Sequence, residues 1–476
     1  MTKIPNIARS TSYLTLALII QKIISFSYFI ILTRALGLEA MGQYYTAISF
    51  TTIFGIFIDL GLANILTREV AKAPEGASRW LGNVIGIKIP LALITFLVSL
   101  LMAQLLGYES LVWRLILVSA FSMVLDSFTT SFFAVLRGLH TLKYESLASI
   151  IFQVLVFIAG GAALYLNQGV LAAIFALVLA SAFNFVFSFR AVRRELKIPW
   201  RPLFDRAAWR KIWQVSWPFG LFAIAQRLYL YLDSVLLSNL ANFHEVGVYQ
   251  IAFKIINALQ FLPLAFVASL YPAMSAYWLN SRDQLAVSLE RALSYLTIIS
   301  LPIIAGVFAL DQAILDIFKA GPEALWPLRI SILALFFIFV NYPIGSLLNA
   351  CDRQKKNLLF ISIVAFSSLV LNLFLIPRWG ALGASITVLL TNSLMFILGI
   401  FEVNKIIKYH FKKNLIVLGK ALLAALVMAL IVYLGKSYLS LPGAVILGGL
   451  TYFFGLYLVG GFSRADILSV KQSFKR

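Results

Sequence analysis

Polar and apolar residues along this chain are sorted into blocks. Long apolar runs alternate with short stretches that hold most of the charge. Crossing a bilayer core takes about 20 apolar helical residues. Fourteen segments reach that length: 11–34, 41–64, 82–106, 111–137, 145–166, 169–192, 213–239, 245–272, 286–310, 325–350, 357–377, 381–404, 414–435 and 441–462. The pattern predicts an all-α membrane protein of about 14 transmembrane helices. Lys3 and Arg9 precede the first segment. It is too long for a signal-peptide core and no small-residue cleavage site follows it, so it is read as a retained helix.

Composition narrows the class. Of 476 residues, 61% are hydrophobic and 12% charged, with mean hydropathy +0.92. Soluble chains carry roughly 25% charged residues, so an ordinary water-facing surface is excluded. A formal charge of +20 would suggest nucleic acid on a soluble protein. Here Lys and Arg sit between the apolar segments. With both termini assigned to the cytoplasm, 28 of the 39 fall on that side. Five (Arg34, Arg114, Lys319, Arg378 and Lys436) fall on the other, and the remaining six lie inside segments. That bias is the positive-inside rule, and no nucleic-acid partner is expected. Tryptophans 80, 113, 200, 209, 213, 217, 278, 326 and 379 lie at segment ends, as in an aromatic belt. The single Cys351 excludes an intrachain disulfide. The three histidines (His140, His244 and His410) have no metal-ligand spacing, so neither metal nor cofactor is implied. Pro90, Pro218, Pro263, Pro302 and Pro343 interrupt segments; each predicts a broken helix or a static kink.

One long basic connection, about 193–211, divides the chain near its middle, and its two sides resemble each other. Met41-Gly42-Gln43-Tyr44 corresponds to Val246-Gly247-Val248-Tyr249 at an offset of 205 residues. Gly169-Val170-Leu171-Ala172-Ala173 corresponds to Gly380-Ala381-Leu382-Gly383-Ala384 at an offset of 211. The loops Arg137–Lys143 and Asn349–Lys355 are also alike. A duplicated unit of six helices inserts the same way up twice, giving a parallel repeat about the membrane normal. Two pseudo-symmetric six-helix lobes follow, 1–205 and 206–412. Residues 413–476 form a C-terminal helix pair and cytoplasmic tail. A binding site is expected between the lobes.

Ionisable residues deep in a bilayer are costly and mark function. Lys22, Arg227 and Lys254 fall near mid-bilayer at 1.5 Å per residue. Each lies on a polar stripe: Thr15, Lys22 and Ser25; Arg227, Tyr231 and Ser234; Gln250, Lys254 and Asn257. Such stripes face away from lipid, so a central cationic cavity is expected. Asp126 shares a face with Ser119, Ser122 and Thr129; it and Asp233 are candidates for ion coupling. Arg227 and Asp233 lie about 120° apart around one helix, so each needs another partner. The competing reading is a set of interhelical ion pairs. Lys88 and Arg329, near segment ends, are expected to snorkel.

The segments 37–44 (Gly-Leu-Glu-Ala-Met-Gly-Gln-Tyr), 61–69 (Gly-Leu-Ala-Asn-Ile-Leu-Thr-Arg-Glu) and 227–249 carry a family resemblance. It extends over essentially the whole chain. The sequence resembles the O-antigen and capsule (Wzx-type) flippases of the multidrug/oligosaccharidyl-lipid/polysaccharide exporter superfamily. It is less similar to the lipid II flippases, whose Arg-Asp pattern in the first helix is not evident here. The resemblance implies alternating access and a polyprenyl-diphosphate-linked oligosaccharide as cargo. The expected partners are that lipid-linked oligosaccharide, membrane lipids, and H⁺ or Na⁺, with the chain a monomer in the cell (inner) membrane. A cation-coupled multidrug antiporter of the same fold is the alternative. Cations outnumber well-centred acids at mid-bilayer, which disfavours it. A membrane enzyme would need a positioned acid, base or metal site. The outer loops hold no His/Asp/Glu cluster, so no enzyme is expected.

Overall fold

The computed structural model describes residues 7–196, 201–409 and 411–461. Lys3, Trp200, His410 and the basic tail from Arg464 lie outside these. Among the described residues there are helices and short turns and no strand. In chain order the helices are α1 Ile7–Asp59, α2 Leu62–Lys72, α3 Ala77–Leu105, α4 Ser110–Gly138, α5 Lys143–Tyr165, α6 Gly169–Leu196, α7 Arg206–Leu240 and α8 Phe243–Leu259. There follow α9 Phe261–Asn280, α10 Arg282–Ala309, α11 Asp311–Phe318, α12 Leu325–Ala350, α13 Gln354–Ile406, α14 Phe411–Gly435 and α15 Leu441–Leu458.

Among the described residues, twelve helical stretches are long and apolar enough to span a bilayer, and two of them can do so twice. Helices α1 and α13 each run for 53 residues, about 80 Å at the α-helical rise, against a core of about 30 Å. Each is broken once, at Gly37 (φ 76°, ψ 175°) and Gly380 (φ 50°, ψ −127°). In α1 the break reverses the chain. The rings of Phe29 and Tyr45 are 5.8 Å apart, where a straight helix would hold them about 24 Å apart. The Thr33 hydroxyl reaches Met41 Sδ at 2.9 Å across the same corner. The eighth predicted segment is interrupted at Gln260. Pro263 cannot donate to the Leu259 carbonyl, and α8 gives way to α9 there.

Two short helices lay hidden in predicted loops. Leu60 and Gly61 take left-handed conformations (φ 42° and 81°), ending α1 five residues before the predicted 64 and starting α2. Leu62, Ile65, Leu66 and Val70 of α2 enter a core shared with Leu81 and Val84 of α3 and Val135 of α4. On α11, Asp311 accepts from Arg329 (2.8 Å).

By compactness the described residues form two units. One holds Met1–Gln250 with Ser368–Ala381, the other Ile251–Ser367 with Leu382–Arg476. In the first, α1 packs on α3, α4, α5 and α7, while α6 packs on α4 and α5. In the second, α10 packs on α12 and α14, α14 on α15, and α9 on α12. Ala421, Ala424, Ala425 and Ala444 let α14 approach its neighbours closely, as small residues do between membrane helices.

The duplicated motifs repeat in backbone geometry. In the loop before α5, Leu139 N–H donates to Val135 O (2.9 Å), Thr141 N–H to Leu136 O (2.8 Å), and His140 is left-handed (φ 57°). Before α13, Cys351 N–H donates to Leu347 O (2.9 Å), Arg353 N–H to Leu348 O (2.8 Å), and Asp352 is left-handed (φ 59°). Gly169 and Gly380 both have positive φ, 74° and 50°. The motif glycines also touch each other's copy. A Cβ on Gly42 would lie 1.8 Å from the Phe243 carbonyl oxygen, and one on Gly247 would lie 2.0 Å from that of Leu38. Leu38 and Phe243 are themselves related by the offset of 205 residues. The contact is therefore self-complementary, as at a two-fold axis.

Candidate functional site

A cavity of about 300 Å³ opens in the first unit, between the second arm of α1, α4 and α6, with Arg227 of α7 on its wall. Hydroxyls dominate its polar lining. Thr51 and Thr52 come from α1, and Ser119, Ser122, Ser127 and Thr130 from α4. Thr51 and Ser119 hydrogen-bond to each other (2.7 Å). Two acids lie on the wall, Asp59 and Asp126.

The acids differ in their company. Asp59 pairs with Lys88 of α3, whose ammonium also donates to the Ser127 carbonyl (2.8 Å). Lys88 is 0% exposed. It does not snorkel as expected, because the Asp59 carboxylate and the Ser127 carbonyl hold its ammonium inside the protein. Arg329 likewise engages Asp311 (2.6 Å) and lies over the Trp326 ring. Asp126, on the α4 face with Ser119 and Ser122, joins no ion pair among the described residues. Arg227 is exposed, with its guanidinium 5.8 Å from the centre of the Tyr231 ring.

Asp233 occupies a separate buried cluster in the same unit. It faces away from Arg227, as the helical spacing requires. Its carboxylate accepts from Tyr249 Oη (2.8 Å), Asn372 Nδ2 (2.6 Å) and Ser368 Oγ (3.3 Å). One residue along, the Ser234 hydroxyl accepts from Gln250 Nε2 (2.8 Å). Asn372 Oδ1 is buried and has no hydrogen-bond partner among the described residues. The sequence signal for Tyr249 was its place in the repeat. For Asn372 it was an amide alone in the run Leu371-Asn372-Leu373.

The remaining candidates lie elsewhere. Lys22 is exposed on the first arm of α1. Lys254, on the part of α8 in the second unit, is half-buried. That unit contains an apolar cavity of about 1080 Å³, walled by α10, α14 and α15 and by Phe266 of α9. Pro302, Gly306, Met428, Gly448 and Tyr452 are on its surface. The Tyr452 hydroxyl turns away to the Ile298 carbonyl (2.7 Å).

A multi-pass helical bundle with a polar cavity inside one unit and an apolar one inside the other suits a membrane transporter, and comparison with known proteins specifies which kind. Residues 7–278 match the family described as Polysaccharide biosynthesis protein, and 218–377 match MatE. The chain belongs to the polysaccharide biosynthesis protein family, within the superfamily that also holds the multidrug exporters. The uncharacterized membrane protein MJ1068 of Methanocaldococcus jannaschii is 23% identical over 464 residues, 91% of this chain and 90% of that one. The probable low-salt glycan biosynthesis flippase Agl15 of Haloferax volcanii is 21% identical, covering 86% of this chain and 84% of that one. Among solved structures, the lipid II flippase MurJ in an inward closed conformation superposes with a TM-score of 0.76 at 16% identity, over 93% of this chain and 97% of that one.

Proposed function

We propose that this protein flips a polyprenyl-diphosphate-linked oligosaccharide from the cytoplasmic to the outer leaflet of the cell membrane, for surface polysaccharide assembly. The observation that carries this reading is Arg227, a guanidinium at the wall of a hydroxyl-lined cavity within a membrane-spanning unit. A diphosphate cannot cross about 30 Å of hydrocarbon unshielded. Arg supplies charge-assisted, bidentate hydrogen bonds to phosphate oxygens. In this reading Lys22 and Lys254 add to the cationic path, and the two repeated lobes rock to open it to either side. The names borne by Agl15 and MurJ support this class of cargo. The apolar cavity at α14 and α15 suits an isoprenoid tail, which needs no polar partner.

For ion coupling, the cluster at Asp233 is the better candidate of the two carboxylates. A buried carboxylate beside the orphaned Asn372 Oδ1 offers oxygen ligands to Na⁺, or a proton site. Asp126 remains open to cargo in its cavity. The decisive measurement is flipping in reconstituted vesicles. Arg227→Ala and Lys254→Ala are expected to lower the rate at least tenfold while the protein remains inserted. Wild-type rates in both variants would remove the proposed role of these cations.

A further inference from the structure

The cavity at Asp126 has features that a phosphate site does not need. Six of its lining residues carry hydroxyls. Asp59 is neutralised by Lys88, which leaves one carboxylate and one guanidinium, Asp126 and Arg227, of opposite sign. A site so balanced favours neither a free anion nor a free cation. An apolar ligand would leave Asp126 with no donor beyond the Ser181 hydroxyl, and Ser122 Oγ, buried in this wall, already has no partner among the described residues. Polar groups at this depth are retained where they have a use. The volume of about 300 Å³ is at the lower end for small-ligand sites. It equals roughly ten waters at about 30 Å³ each, which is room for one sugar ring.

The geometry points to a subsite for a single neutral sugar, the one joined directly to the diphosphate. Its hydroxyls donate to Asp126 and exchange hydrogen bonds with Ser122 and Thr52. Arg227 holds the phosphate at the cavity wall. This rests on the proposed function for its anchor and adds a point of selection. The sugar next to the phosphate is inspected, and the rest of the glycan stays outside. A site built to hydrogen-bond hydroxyls rejects a ligand lacking them, because its own polar groups are then left unpaired.

The test uses the full chain in nanodiscs and two kinds of probe. One is a short-chain isoprenyl diphosphate carrying a single glucose, galactose or N-acetylglucosamine in turn. The other is the same diphosphate without sugar. Wild type is expected to bind at least one glycosylated probe tenfold or more tightly than the bare one. Ser122→Leu, which fills the cavity, and Asp126→Asn, which keeps its shape, should each bring that ratio close to one. Each is scored only on material that elutes as wild type in gel filtration. Loss of the ratio in either folded variant supports the subsite. A wild-type ratio near one for every sugar overturns it, as does an unchanged ratio in both variants. Arg227→Ala reads the anchor separately: weaker binding of both probes supports the proposed function whatever the ratio does. If wild type binds neither probe, both proposals fall.

Discussion

At the scale of single residues, burial and partner decide what a charge does, and the sequence conveys burial poorly. Lys88 and Asp59 stand 29 positions apart, and only the fold brings them within bonding distance. Breaking such a pair from one side leaves an uncompensated charge, which costs about 3–5 kcal/mol, whereas removing both charges can be nearly neutral. Lys88→Met is therefore expected to lower the melting temperature in detergent sharply, and Asp59→Asn with Lys88→Met to recover most of the loss. A double variant no more stable than the single one would show that the pair contributes little. The polar stripes did place Asp126 with Ser119 and Ser122, because one helix face follows from 3.6-residue periodicity alone. Arg227 at the same cavity, and the three donors around Asp233, come from other helices, whose rotation about their axes no single-segment pattern fixes.

At the scale of elements, apolar length was enough to find the fourteen passes but not their ends. Gly61 and Gly380 stop or break helices by backbone conformation, and hydropathy does not register that. The short α2 and α11 were missed because each is too brief to span a bilayer. The likeness of the loops before α5 and α13 was legible because loop caps depend on local backbone geometry, which three or four residues encode. The repeat's glycines carry a further expectation. A side chain at Gly42 or Gly247 would meet a carbonyl oxygen at 2.0 Å or less, and backbone cannot move aside as a flexible side chain can. Gly42→Val and Gly247→Val should each reduce folded yield and melting temperature, while Gly161→Val, where nothing lies within 4 Å, should leave both near wild type. Equal behaviour of the three would mean that the crossing is looser than described.

At the scale of the whole molecule, an even number of passes returns the chain to the side where it began. On the charge bias we propose that this side is the cytoplasm. Introduced cysteines can check it against a quiet background. The native Cys351 is 1% exposed, and burial pushes its thiol up to about 11, so little thiolate is present near neutrality. A membrane-impermeant maleimide is expected to label Glu109→Cys in intact cells and Lys355→Cys only after lysis. The opposite pattern would invert the topology and with it the proposed direction of transport. Membrane class, helix count and family were all readable from the sequence, since hydrocarbon constrains composition so heavily. The cavities were not, because a cavity is defined by what several helices leave unfilled.

The crossing of Gly42 over Gly247 also bears on ancestry. Two copies of a duplicated gene drift apart wherever each packs against its own surroundings. Where one copy rests on the other, a change in either is tested against both. On the proposed duplication, a symmetric backbone contact of this kind is what a six-pass ancestor would have used to pair with itself.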